Sequence, residues 1–234
     1  MAHLDKSIHE QRRRAESYWF LAAIYGEPLP AQALERFASA AGRGQGDDSA
    51  IGGEFRAALA ADGDTDYQAL SHKLAIEHAR LFLGLRQGYG PPPPYESLWR
   101  EARVLGDSSL AVARAYSEAG FMDASQCGPC DHIASELRFL ASLCHAEAEA
   151  TALGDIAEAS WARERQVDFL KDHLLTWVPP YCRELARQAR EPLYTALARV
   201  TEKMLAVEGQ FLRPVRAASR QAVMPNRRAE GVVV

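Results

Sequence analysis

Cys127-Gly-Pro-Cys-Asp-His-Ile-Ala-Ser-Glu-Leu-Arg-Phe-Leu-Ala-Ser-Leu-Cys144 reads as a turn followed by a helix in two parts. Pro129 suits the first helical position, where the N–H it lacks would have no partner anyway. Asp131 then falls in the first turn, where a negative charge meets the positive end of the helix dipole. His132 and Glu136 stand four residues apart and share a face, while Ile133, Leu137, Leu140 and Cys144 form the adjacent apolar stripe. The stretch therefore predicts a helix with a polar cluster at its start and a core-forming ridge along its length.

The helical period continues on both sides. Toward the N-terminus, a first helix is expected over 7–25, with Ser7 and Glu10 as a capping box, Gly26 as its stop and Pro28 beyond. Its arginines, Arg12, Arg13 and Arg14, read most simply as a solvated face. Short helices follow over 30–41 and 49–61, separated by the glycine-rich loop 42–48. A stronger helix over 65–83 places Leu70, Leu74, His78, Leu81 and Phe82 at helical spacing, with Glu77 and His78 on a helix face without a special role. Pro91 to Pro94 cannot continue a helix and favour a stiff polyproline II segment. Asp107 or Ser108 caps a helix to about residue 119. Toward the C-terminus, Asp155 caps a long helix to Trp177, which Pro179-Pro180 should break, and Pro192 starts the last helix, ending near Leu212. No segment alternates with period two. The expected fold is all-α: a single globular bundle of about nine or ten helices, organised as helical subdomains 1–122 and 123–212 joined by a hinge, the second opening with the Asp-His helix. Residues 213–234 form a basic tail with little to bury, expected to be disordered.

Bulk properties narrow the function. The 234 residues carry a net charge of −4, and the five arginines from Arg213 onward leave about −8 on the folded part. Such a body is poorly suited to neutralising phosphates, so nucleic acid is not an expected partner, whereas a basic peptide is. No apolar run approaches the ~20 residues of a membrane span. Arg12-Arg13-Arg14 ahead of Tyr18-Trp19-Phe20-Leu21 superficially resembles an export leader, but Glu16 and Ser17 interrupt it and the apolar run is short and aromatic. The protein is expected in the cytoplasm.

Several chemistries compete for the motifs. Cys127, Cys130 and His132 offer three soft metal ligands in a compact loop, with Cys144 and His145 further along. Cys127-Gly-Pro-Cys130 also has the form of a thioredoxin-type redox motif, though the βαβ context that motif needs is missing. A metal-binding or redox-sensing helical protein is thus the alternative reading, set against incidental cysteines. Asp131, His132 and Glu136 could perform acid–base work, but no recognisable turn positions a nucleophile. Phosphate-binding glycine motifs are absent. Tyr95 and Trp99, beside the proline run, are either core residues or the wall of a groove.

Taken together, Leu81-Phe82-Leu83-Gly84, Pro93-Pro94-Tyr95-Glu96-Ser97-Leu98-Trp99-Arg100-Glu101, Asp131-His132-Ile133-Ala134-Ser135-Glu136-Leu137-Arg138-Phe139-Leu140 and Phe169-Leu170-Lys171-Asp172-His173-Leu174-Leu175-Thr176-Trp177-Val178-Pro179 resemble the TorD/DmsD/NarJ family of cytoplasmic redox-enzyme maturation chaperones. The resemblance extends to Pro192-Leu193-Tyr194 and covers roughly residues 15–205. It implies a helical, non-enzymatic protein without a cofactor of its own, monomeric or dimeric. Its implied partner is the immature catalytic subunit of a molybdenum-cofactor enzyme of the DMSO reductase class, bound through its twin-arginine leader until cofactor insertion. By the family's motifs Tyr95, Glu96, Ser97, Trp99, Asp131, His132 and Glu136 would carry client binding. Relatives often have an acid or Glu-Pro ahead of Asp-His, where this chain has Cys127-Gly-Pro-Cys130. Carboxylates at 96, 131 and 136 could accept forked hydrogen bonds from guanidinium, and on this reading Glu96→Ala or Asp131→Ala should weaken binding and leave the fold intact.

Overall fold

A buried face of α1 (Ala2–Gly26), formed by Tyr18, Leu21, Ala22 and Tyr25, lies antiparallel along α7 (Ile133–Leu153), and the remaining helices wrap this pair. The computed structural model describes residues 2–42, 50–59, 65–84, 88, 90–122 and 129–211. Cys127, the glycine-rich loop at 43–48 and the tail 213–234 lie outside them. Between α1 and α7 come α2 (Ala31–Gly42), α3 (Ala50–Leu59), α4 (Tyr67–Phe82), α5 (Glu96–Glu101) and α6 (Asp107–Glu118). After α7 come α8 (Ile156–Phe169), a π-helical turn (Leu170–Leu174), α9 (Leu175–Gln188) and α10 (Pro192–Phe211). The fold is all-helical, as expected. Among the described residues there is no strand and no helix long and apolar enough to cross a membrane.

The predicted ridge of α7 is the centre of the core. Ile133, Leu137, Leu140 and Cys144 are all buried, and Phe139, Ala141 and Leu143 extend burial around the helix. Each large apolar side chain withdrawn from water contributes about 1.5–3 kcal/mol, so the first three turns of α7 are a major stabilising element. Gly154, left-handed with φ 75°, ends α7, and the Asp155 side chain accepts from Glu158 N to start α8.

Three local expectations are corrected, and one helix face is defined. Helix α1 begins at Ala2, placing Asp5 in its first turn and Ser7 inside it. Its arginines are not one solvated face, because Arg14 is buried and pairs with Glu208 of α10 at 2.6 Å. Glu77 and His78 are buried too. Glu77 accepts from Arg80 and from Arg190 N, while the His78 ring packs edge-on against Phe82 at 4.7 Å. Burial pushes the His78 imidazole down to about 4, so it sits in the core as a neutral group. Finally, Pro179 and Pro180 do not break the rod, and both lie inside α9. The π-helical turn immediately upstream resets the helical register, where the Leu175 N–H reaches back to Leu170 O.

Candidate functional site

Asp131 and His132 do not belong to α7 as the sequence predicts. The helix starts at Ile133, with His132 as its N-cap in extended conformation and its Nδ1 accepting from Ala134 N at 3.2 Å. The cause is tertiary. Glu96 N donates to Asp131 O and Ile133 N donates to Pro94 O, both at 2.9 Å, forming an isolated antiparallel bridge between Tyr95 and His132. Asp131 is thereby held outside its own helix and caps another, since its Oδ2 accepts from Ser97 N at 2.8 Å in the first turn of α5.

The bridge joins two of the segments that the sequence singles out, and the rod formed by α8, the π turn and α9 backs them. Glu96, Ser97, Asp131 and Glu136 are fully buried. Glu96 Oε1 accepts from Arg100, one turn along α5, and Glu96 Oε2 lies 2.8 Å from His173 Nδ1 in the π turn. Glu136 Oε2 accepts from Trp177 Nε1 at 3.2 Å, while Glu136 Oε1 has no hydrogen-bond partner. Burial, reinforced by the negative charges of Glu96 and Asp131, raises Glu136 well above the usual carboxylate range. Asp131 Oδ1 and Ser97 Oγ have no hydrogen-bond partner. The three acids thus form an internal network that ties α5, α7 and the rod together. Removing one would leave buried partners unsatisfied and is expected to cost stability.

Above this network the half-buried side chains face outward. The rings of Tyr95 and His132 meet edge-on at 5.1 Å. Trp99 packs edge-on against Tyr181 at 5.4 Å and donates its Nε1 to Pro93 O at 3.2 Å, so it is part wall and part anchor for the proline arm. Burial, and then the Asp131 charge, raises the Tyr95 phenol. All seven sequence-predicted residues therefore converge at one junction. Arg100, His173 and Trp177 belong to it as well and were not singled out. The Glu96–Arg100 spacing of one helical turn was a visible signal for the first, but nothing local marks the other two.

The cysteines behave differently. Cys130 donates its thiol to Ser109 O at 3.3 Å, and burial together with the Asp131 charge pushes that thiol up. Cys144 and Cys182 are buried and pushed up to about 12. Among the described residues no group of His, Cys, Asp and Glu is arranged to hold a metal ion.

Comparison with known proteins places the chain among relatives of one kind. The family model described as the nitrate reductase delta subunit matches residues 45–183, more than half of the chain. The chaperone protein TorD of Vibrio cholerae serotype O1 is 29% identical over 195 residues, covering 80% of this chain and 86% of that one. TorD of Aeromonas salmonicida is 27% identical over 224 residues, covering 92% of this chain and 99% of that one. A crystal structure of a proposed redox enzyme maturation protein from Archaeoglobus fulgidus superposes with a TM-score of 0.49 at 22% identity, covering 82% of this chain and 93% of that one.

Proposed function

The chain belongs to the nitrate reductase delta subunit family, and on that premise we propose that it binds the immature catalytic subunit of one molybdenum-cofactor oxidoreductase of the DMSO reductase class. It is a TorD-family chaperone for redox enzyme maturation and not an enzyme. On this reading it works in the cytoplasm. It holds the client through its twin-arginine leader, its body or both until cofactor is inserted, then releases it for export or assembly.

The observation that carries this reading is the half-exposed Tyr95–His132 ring pair lying over a buried store of carboxyl groups. A leader of this type has a basic head and an apolar helical stretch. Micromolar binding requires about 8 kcal/mol net, and ordering a flexible peptide opposes it. Charge-assisted hydrogen bonds of about 1.5–3 kcal/mol each supply part, and aromatic contact with the apolar stretch supplies the remainder.

The test begins with capture of the client from the native host and identification of the captured protein. Calorimetry with that client's leader peptide follows, comparing the wild type with Tyr95→Ala combined with His132→Asn. Asparagine keeps the helix cap, so the melting temperature should stay close to wild type. Affinity should fall about tenfold, the scale of two lost aromatic contacts. Unchanged affinity would reject this surface as the client site.

A further inference from the structure

We propose that Arg100 is a built-in competitor for the client's arginine, its guanidinium occupying the outward oxygen of the buried Glu96 and giving way when an arginine of the leader arrives. The inference rests on the leader-binding reading above and names how that site is regulated. Three observations carry it. Glu96 is completely buried, yet the Arg100 side chain that pairs with it is 38% exposed, so one partly exposed cation lies between the buried carboxylate and solvent. Arg100 also engages this site through a single guanidinium nitrogen. The same nitrogen, Nη1, makes the bond to Glu96 and a bond of 3.1 Å to the Asp172 carbonyl. A side chain tethered one turn away on the same short helix thus presents a single nitrogen, whereas an untethered arginine can approach a carboxylate with two parallel N–H groups.

The third observation is a surplus of buried acceptors beneath Arg100. Glu96, Asp131 and Glu136 are fully buried, and the donors that reach them are Arg100, His173, the Ser97 N–H and Trp177. Asp131 Oδ1 has no partner. Buried acceptors that lack donors are costly, and a guanidinium is the side-chain group richest in N–H donors. The junction is therefore matched to a guanidinium, and the chain supplies its own in the absence of client. Such an occupant suppresses adventitious binding of basic peptides and admits only a ligand able to outcompete it.

The experiment is calorimetric titration of the full chain with a synthetic twin-arginine leader peptide and its twin-lysine counterpart. The wild type is compared with Arg100→Ala and with Arg100→Gln, the latter keeping most of the side-chain stem. Both variants should bind the twin-arginine peptide about tenfold more tightly, the scale of one charge-assisted hydrogen bond no longer displaced. The twin-lysine peptide should gain much less. The gain should vanish in Arg100→Gln combined with Glu96→Gln, provided thermal melts show each variant folded. Leader affinity that is unchanged or weakened in both single variants overturns the inference while leaving the leader-binding reading in place. Failure of the wild type and both variants to bind any leader, with the client body still captured, overturns leader binding itself.

Discussion

Glu136 lies in the first turn of α7 with its carboxyl against Glu96 and no access to water. This upward shift has a direct consequence for stability. The folded state keeps the carboxyl proton above the pH at which the unfolded chain, near 4.5, has released it. The folded state then binds more protons than the unfolded one, so stability falls as pH rises from about 4.5 toward the elevated folded value. Glu136→Gln replaces the protonated acid with a neutral group of the same shape, able to donate toward Glu96 and accept from Trp177. This variant should be folded, and urea titrations between pH 5 and 8 should show a flatter decline than in the wild type. An identical pH slope would mean that Glu136 is ionised in the folded protein. Glu136→Ala, by contrast, should cost about 2–4 kcal/mol, because it leaves a cavity and unsatisfied neighbours. The residue types of this network were legible in the sequence. Their burial was not, since a string of acids and a histidine at a helix start looks the same whether it faces solvent or core.

The proline arm shows what individual elements contribute. Residues 90–94 cross the end of α4 at close range, and a Cβ on Gly90 would lie 2.1 Å from the Arg80 carbonyl oxygen. Gly84 has φ 59°, and a Cβ there would lie 2.9 Å from Pro93. Both positions need glycine, Gly90 for close backbone approach and Gly84 also for its left-handed backbone. Gly90→Ala should lift the arm, loosen the Pro94–Ile133 hydrogen bond and destabilise the fold by about 1–3 kcal/mol, the range for overpacking. Thermal melts would measure the cost, and hydrogen exchange at Ile133 N–H would show whether the bridge opens with it. No change in either would mean that the arm can shift freely over α4. The stiffness of this arm was legible from four consecutive prolines. Its target was not, because the bridge pairs it with a residue far along the chain. The same limit applies to Pro179 and Pro180: they read as a break because the π turn that accommodates them has no signature in local composition.

At the scale of the whole molecule, a polar spine runs through the core and joins the two ends of the chain. Arg14 of α1 makes forked hydrogen bonds to Glu208 of α10 and reaches Gln166 of α8 at 2.8 Å, while Gln166 donates to Glu147 of α7 at 2.8 Å. Tyr18 adds its hydroxyl to Glu208 at 3.0 Å. A buried pair of this kind is costly to break on one side, because the remaining charge is stranded. Glu208→Leu and Arg14→Leu should each cost about 3–5 kcal/mol. The double variant should lose less than the sum of the two, measured by urea denaturation in a double-mutant cycle. Strict additivity would show that the pair does not couple α1 to α10. Local pattern determined much of this protein: the apolar stripe of α7, the periodicity of α4 and α10, the caps at Asp66 and Asp155, and the absence of alternating segments fix helices of these lengths wherever they dock. It also marked Asp131 through Glu136 as residues to follow, while Tyr95 through Ser97 came from the family resemblance. Only the tertiary structure decided that Asp131 caps α5 instead of its own helix, that Arg14 and Glu77 are buried, and that His173, Trp177 and Arg100 complete the junction. The reason is physical: periodicity reports which face of a helix is apolar, whereas the partner of a buried charge is fixed by packing between segments distant in the chain.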